Sequence, residues 1–178
     1  YYHSSASAND LYDDVNGNPQ VLTGQAPKSR SSKHGAWVIG QQQLTSHNGD
    51  ASRGLSVFAS LTVHDKATSG IESFQNIGAV YKGPFDARPQ DDLGVGIARL
   101  KVNDDVTKRQ RLINESTGIS DYDDPQYVPV QHSEYNIELN YGVHVTNWLT
   151  VRPNLQYVRN PGGVYEVDNA WVAGVKLQ

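Results

Sequence analysis

Glu134-Tyr135-Asn136-Ile137-Glu138-Leu139-Asn140-Tyr141-Gly142-Val143-His144-Val145-Thr146 alternates without a break: every odd position is apolar or aromatic and every even one is polar or small. Period two is the mark of a strand with two unlike faces. Asn147 and Trp148 then make a minimal turn. A second strand follows, with Leu149, Val151, Pro153, Leu155 and Tyr157 on one face and Thr150, Arg152, Asn154 and Gln156 on the other. Together they read as an antiparallel hairpin.

Alternation alone does not say which face meets water, because a strand of a soluble sandwich alternates too. Length and content decide. The first strand holds the pattern for about a dozen residues, where a globular strand runs about 5 to 6 and a tilted transmembrane strand needs about 9 to 11. Its polar face carries two glutamates, two asparagines and a histidine in single file. Lipid on one side and an aqueous lumen on the other account for both features.

Working outward, five more segments show strand periodicity. They are His34 to Leu44 with Trp37 and Ile39 on one face, residues 55 to 64, residues 71 to 82, residues 93 to 102 with a slip in phase near Arg99 that suggests a bulge, and a last strand from Ala170 with Trp171, Ala173, Val175 and Leu177 on its apolar face. Residues 1–33 and 104–132 are polar and aperiodic and read as long loops. Counting connections alternately puts 1–33, 65–70, 104–132 and the stretch before Ala170 at one end of the sheet. Residues 45–52, 83–92 and 146–148 lie at the other end. Short turns at one rim and long loops at the other are the habit of outer-membrane barrels. Tyr81, Tyr135, Trp148, Tyr157 and Trp171 fall near strand ends, where a barrel carries its aromatic girdles.

Composition sets bounds. The 178 residues are 37% hydrophobic with 16 glycines, and the mean hydropathy is -0.57. No run of about 20 apolar residues is present, which excludes a membrane-spanning helix but not a barrel, whose alternation keeps averaged hydropathy low. There is no cysteine, hence no disulfide framework or thiol chemistry. A net charge of -4 offers no basic footprint, so no nucleic-acid partner is expected. The start at Tyr1-Tyr2-His3, without methionine, reads as a mature or internal cut.

Three segments carry a family resemblance: Gly83-Pro84-Phe85-Asp86-Ala87-Arg88-Pro89-Gln90-Asp91-Asp92-Leu93-Gly94, the Glu134 to Val145 strand, and Trp148 to Gly163 with its Pro153-Asn154-Leu155-Gln156-Tyr157 and Asn160-Pro161-Gly162 pieces. Over residues 34–178 the chain resembles the C-terminal part of OprB-type carbohydrate-selective porins. The resemblance implies an antiparallel transmembrane β-barrel of roughly 16 strands in the bacterial outer membrane, admitting glucose and other sugars by facilitated diffusion. Seven strands would be under half of such a ring, and the chain ends at Lys176-Leu177-Gln178 rather than on the terminal aromatic usual in that class. Further segments of the same barrel, outer-membrane lipid and carbohydrate solutes are therefore the expected partners, with no cofactor and no enzymatic activity.

On this reading the lumen face carries Glu134, Asn136, Glu138, Asn140 and His144 on one strand, Arg152, Asn154 and Gln156 on the next, and Lys176 and Gln178 on the last. Such side chains replace the water hydrogen bonds of a sugar, and adjacent acidic and basic strands would set a transverse field. The bland reading is a wall braced by structural salt bridges. His64, His132 and His144 lack the paired spacing of a zinc site, and the acidic stretches Asp13 to Asn18 and Asp121 to Asp124 read as solvated loops rather than calcium loops. Arg88 and Asp91 read as a brace within their turn. Asn114-Glu115-Ser116 matches a glycosylation triplet of the kind that arises by chance. Two other classes remain: a soluble β-sandwich that binds carbohydrate, like a lectin, and an outer-membrane barrel enzyme. The second lacks a serine, histidine and acid at spacings that suggest a triad.

Overall fold

The chain is described by a computed structural model covering residues 1–178. Its elements in order are β1 (Tyr2–Ser4), β2 (Ala8–Asp14), α1 (Gln20–Thr23), β3 (Pro27–Arg30), β4 (Lys33–Gln43), β5 (Gly54–His64), β6 (Ile71–Lys82), β7 (Asp92–Val102), α2 (Asp104–Thr117), β8 (Ser133–Thr146), β9 (Leu149–Arg159), a 3₁₀ turn at Pro161–Gly163, and β10 (Ala170–Leu177). The seven strands expected from the pattern are present as β4 to β10. They form an antiparallel meander, extended by β1, in the order β1-β4-β5-β6-β7-β8-β9-β10.

The sheet is one layer thick. Because paired residues of antiparallel strands share a face, the register assembles rows that run across it. Ala59, Ile77, Ile97, Ile137, Tyr157 and Trp171 form one row, and Val57, Ala79, Val95, Leu139, Leu155 and Ala173 the next. Nothing packs on these rows: Ile77 is 61% exposed, Leu139 51% and Trp171 69%. The only buried hydrophobic side chains are Val102, Val130 and Val164, all at one end of the sheet. This overturns the sandwich alternative, which needs a second sheet to bury the apolar face.

Irregularities mark both ends. The slip expected in β7 lies instead on β6, where pairing with β7 skips Glu72 between Ile71 and Ser73, while the β7–β8 register runs unbroken. A second skip at Val145 tightens the Asn147-Trp148 turn. Pro153 has no N–H to offer, and the β8–β9 pairs on either side of it are separated by a gap. Trp37 and Ile39 pair with Thr62 and Ser60, so they lie on the same face as the polar rows, with Val38 on the apolar one.

The two long stretches read as loops carry structure. Within residues 1–33, β2 and β3 form a two-stranded sheet. Residues 104–132 contain the fourteen-residue α2. Asn103 caps α2, its side-chain oxygen accepting from the Asp105 N–H at 2.9 Å, and Gly118 ends it at φ 71°, a left-handed conformation suited to glycine. Asn103 also donates from Nδ2 to the carbonyls of Lys66 (2.7 Å) and Ser69 (2.8 Å), and Leu11 N–H donates to Ala67 O, which gathers these segments at one end. The acidic stretch at Asp14 is closed by its own chain: Oδ1 accepts from the amides of Asn16 and Asn18, and Oδ2 from Thr23 Oγ1.

Candidate functional site: the polar wall of the sheet

The face opposite the apolar rows carries amides, carboxylates and glycines in register. Ser56, Val80, Gly94, Asn140, Asn154 and Gly174 make one row; Phe58, Gly78, Gly96, Glu138, Gln156 and Val172 make the next. Glycines sit beside large side chains on neighbouring strands, and several of those side chains lie down over them. A Cβ at Gly174 would stand 2.6 Å from Asn154 Oδ1, one at Gly94 2.9 Å from Asn140 Oδ1, one at Gly142 2.7 Å from Arg152 Nη2, and one at Gly78 2.4 Å from Phe58 Cζ. The wall is flat because these positions have no side chain.

Glu138 is the hub of a network on that wall. Its Oε1 accepts from Asn140 Nδ2 at 2.9 Å, and its Oε2 from Gln156 Nε2 at 2.7 Å and Asn154 Nδ2 at 3.4 Å. Asn136 Nδ2 donates to Gln156 Oε1 at 3.2 Å. Toward the short-turn end, Arg152 donates from Nη1 to Asn140 Oδ1 at 2.9 Å and from Nη2 to Asp92 Oδ2 at 2.9 Å, and Nη1 also pairs with Asp92 Oδ1. Gln178 Oε1 accepts from Arg152 Nε at 3.1 Å. Asp92, Asn140, Arg152 and Gln178 border a recess of about 430 Å3 that also takes in Lys82 and His144.

Most of the residues singled out in the sequence come together here. Asn136, Glu138, Asn140, Arg152, Asn154, Gln156 and Gln178 share one network, and His144 sits at its edge with Nδ1 3.3 Å from Thr150 Oγ1 and Nε2 3.8 Å from Asp92. Glu134 is drawn away, accepting the Gly162 N–H at 2.7 Å. Lys176 faces Arg152 across the ladder, is exposed and makes no ion pair. Of the charges on this face, Arg152 is paired with Asp92, and Glu138 is surrounded by neutral amides. In the sequence Asp92 reads as the last residue of a turn, yet it is in phase with Gly94 and Gly96 on the polar face.

The short-turn end is fastened by Asp91, which is 1% exposed. Arg88 pairs with it, as its turn suggested; Tyr141 Oη donates to Oδ2 at 2.7 Å and the His144 N–H to Oδ1 at 2.9 Å. The Arg88 guanidinium, with these further donors, holds the Asp91 carboxyl down at about 2. Arg53 joins the neighbouring turn, donating from Nη2 to Gly83 O (2.8 Å) and Asp86 Oδ1 (2.9 Å). No three histidine or acidic side chains converge on a metal-sized space.

A family model described as carbohydrate-selective porin, OprB family, matches residues 1–178. Porin B of Pseudomonas aeruginosa is 70% identical over 178 residues, 100% of this chain and 39% of its own length. Putative porin QuiX of Acinetobacter baylyi is 46% identical over 178 residues, 99% of this chain and 38% of its own length. The high-pH structure of Pseudomonas putida OprB superposes with a TM-score of 0.96 at 66% identity, over 98% of this chain and 42% of that one. The low-pH structure of the same protein gives 0.58 at 48% identity, over 82% and 36%. The chain therefore spans about two fifths of the length of the curated relatives it matches. A single-layer antiparallel sheet, apolar on one face and amide-lined on the other, with these relatives along its whole length, belongs to the carbohydrate-selective porin family, OprB.

Proposed function

We propose that this chain forms one arc of a transmembrane β-barrel through which sugars such as glucose cross by facilitated diffusion. Proteins of this family reside in the outer membrane of Gram-negative bacteria. In that setting the apolar rows meet lipid and the amide rows meet the water of the pore. Strands β4 to β9, of 11 to 14 residues, rising about 3.4 Å per residue and tilted about 45°, cross about 25 Å of hydrocarbon. Tyr135, Tyr157 and Trp171 then mark one interface, and Tyr81, Tyr141 and Trp148 the other.

Closure of the ring follows from the backbone. The outer edge of β10 and that of β4 beyond Gly35 carry unpaired N–H and C=O groups, each costing several kcal/mol in hydrocarbon. Further strands of the same polypeptide, to roughly 16 in all, satisfy them.

The observation that carries the sugar reading is the amide network around Glu138. A solute leaving bulk water exchanges hydrogen bonds with the wall at little net cost only where donors and acceptors stand ready. Each Asn and Gln amide has one acceptor and two N–H donors, and the network uses only part of that capacity at Asn136, Asn140, Asn154 and Gln156. Glu138 takes three amide donors and holds them in place. Pairing of Arg152 with Asp92 offsets one of the wall's cations, and the amide rows beside it suit neutral polyols. The role is passage rather than catalysis. The test is swelling of liposomes that contain the complete barrel: glucose should enter faster than it does into protein-free vesicles. Glucose-impermeable vesicles, or a detergent-free monomer of 19.6 kDa, would sink the proposal.

A further inference from the structure

At the end of the sheet that bears the long connections, α2, the stretch 118–132 and the stretch 161–169 enclose a cleft of about 560 Å3, within the range of small-molecule sites. We propose that this cleft is a sugar-capture subsite, separate from the wall network, in which a pyranose lies on the Tyr165 ring between Glu115, Glu166 and Arg111. The inference rests on the sugar-porin reading for its biological sense, and on the following geometry for its chemistry.

The floor is an aromatic platform. The rings of His132 and Tyr165 stack with centroids 4.5 Å apart and planes 8° from parallel, and Tyr165 is 62% exposed. One face of the tyrosine is thus taken by the imidazole while the other is open. The platform is held by backbone: His132 N–H donates to Gly163 O at 2.7 Å, His132 O accepts from Val102 N–H at 2.7 Å, and the adjoining Val164 and Val130 are buried. Burial, together with the nearby Arg111 cation, pushes the His132 imidazole below its ordinary pKa, so a neutral ring lies under the tyrosine at neutral pH.

The walls are polar and unspent. Arg30, Arg53, Arg88 and Arg152 all form ion pairs; Arg111, Glu115 and Glu166 line one cleft and form none. The hydroxyl of Tyr127 likewise bonds to no protein group. Two acceptor carboxylates and a donor fork bracketing a bare ring face match the chemistry of a sugar: vicinal hydroxyls to bond, and a flat C–H face to lay on the electron-rich ring. Two carboxylates against one guanidinium disfavour an anion.

The test uses the complete barrel, with any cysteine outside residues 1–178 replaced by serine and Ser120→Cys placed in the cleft wall, where Ser120 is exposed. A membrane-impermeant maleimide should label the thiol, and glucose should slow the labelling where KCl of equal osmolality does not. Tyr165→Ala should abolish that protection and raise the glucose concentration for half-maximal flux roughly fivefold, leaving saturating flux and KCl conductance unchanged; Tyr165→Phe should behave as wild type. A thiol that never labels, labelling indifferent to glucose, or wild-type flux in Tyr165→Ala each overturns the subsite. Glucose flux without protection removes the subsite and keeps the porin, whereas protection in a barrel that passes no glucose removes the transport reading and keeps the site.

Discussion

Asp91 and the wall glycines show how single positions shape this molecule. With the Asp91 carboxyl held at about 2 against about 3.9 when unfolded, its ion pair contributes stability above about pH 4 that is lost as the pH falls toward 2. Asp91→Asn should lower stability by about 1–3 kcal/mol at neutral pH, and the gap between mutant and wild type, followed by thermal unfolding in detergent, should close as the pH approaches 2. The glycines act through space they leave empty. In Gly94→Ala the new methyl displaces the Asn140 amide, which lifts off the wall and gives up its bond to Glu138. Single-channel conductance should fall, at a stability cost of about 1 kcal/mol. Gly40→Ala is the control: its Cβ meets nothing within 4 Å, on the apolar face, and conductance should not change.

Among the elements, α2 is the one fastened by polar side chains. Its buried residues are Thr107 and Asn114: Thr107 Oγ1 donates to Gln131 O at 2.6 Å, and Asn114 exchanges bonds with Val128 at 2.9 Å in each direction. That is why no apolar period of 3.6 announced it and the stretch read as loop, although Asn103 and Gly118 are ordinary start and stop signals. Asn103→Ala should cost about 1–2 kcal/mol through the cap alone and strands the Lys66 and Ser69 carbonyls as well. Limited proteolysis should then cut within residues 104–132 while the heat-resistant barrel band persists.

For the whole molecule, apolar rows that no part of the chain covers, with buried apolar side chains only at Val102, Val130 and Val164, put the apolar boundary on the exposed face of the sheet. An arginine at Ile97, mid-strand and 46% exposed, should cost about 2–4 kcal/mol in a bilayer. The same substitution at Ala98, one residue on and facing the wall, should leave unfolding in urea near wild type and alter conductance instead. Equal penalties at the two positions would contradict a sheet with lipid on one side.

Much was written locally. Alternation in Glu134 to Thr146 records two different solvents on two faces, because consecutive side chains of a strand point to opposite sides; the strands, their two ends and the pairing of Arg88 with Asp91 all followed from patterns within a few residues. The tertiary structure alone decided what depends on register between distant strands. Asp92 meets Arg152 sixty residues away, and Asn140 lies over Gly94 only because β7 and β8 pair in that frame. The caps and carbonyls that fold 1–33 and 104–132 onto one end likewise come from segments far apart in the chain, and no periodicity within a segment encodes which partner another segment will bring.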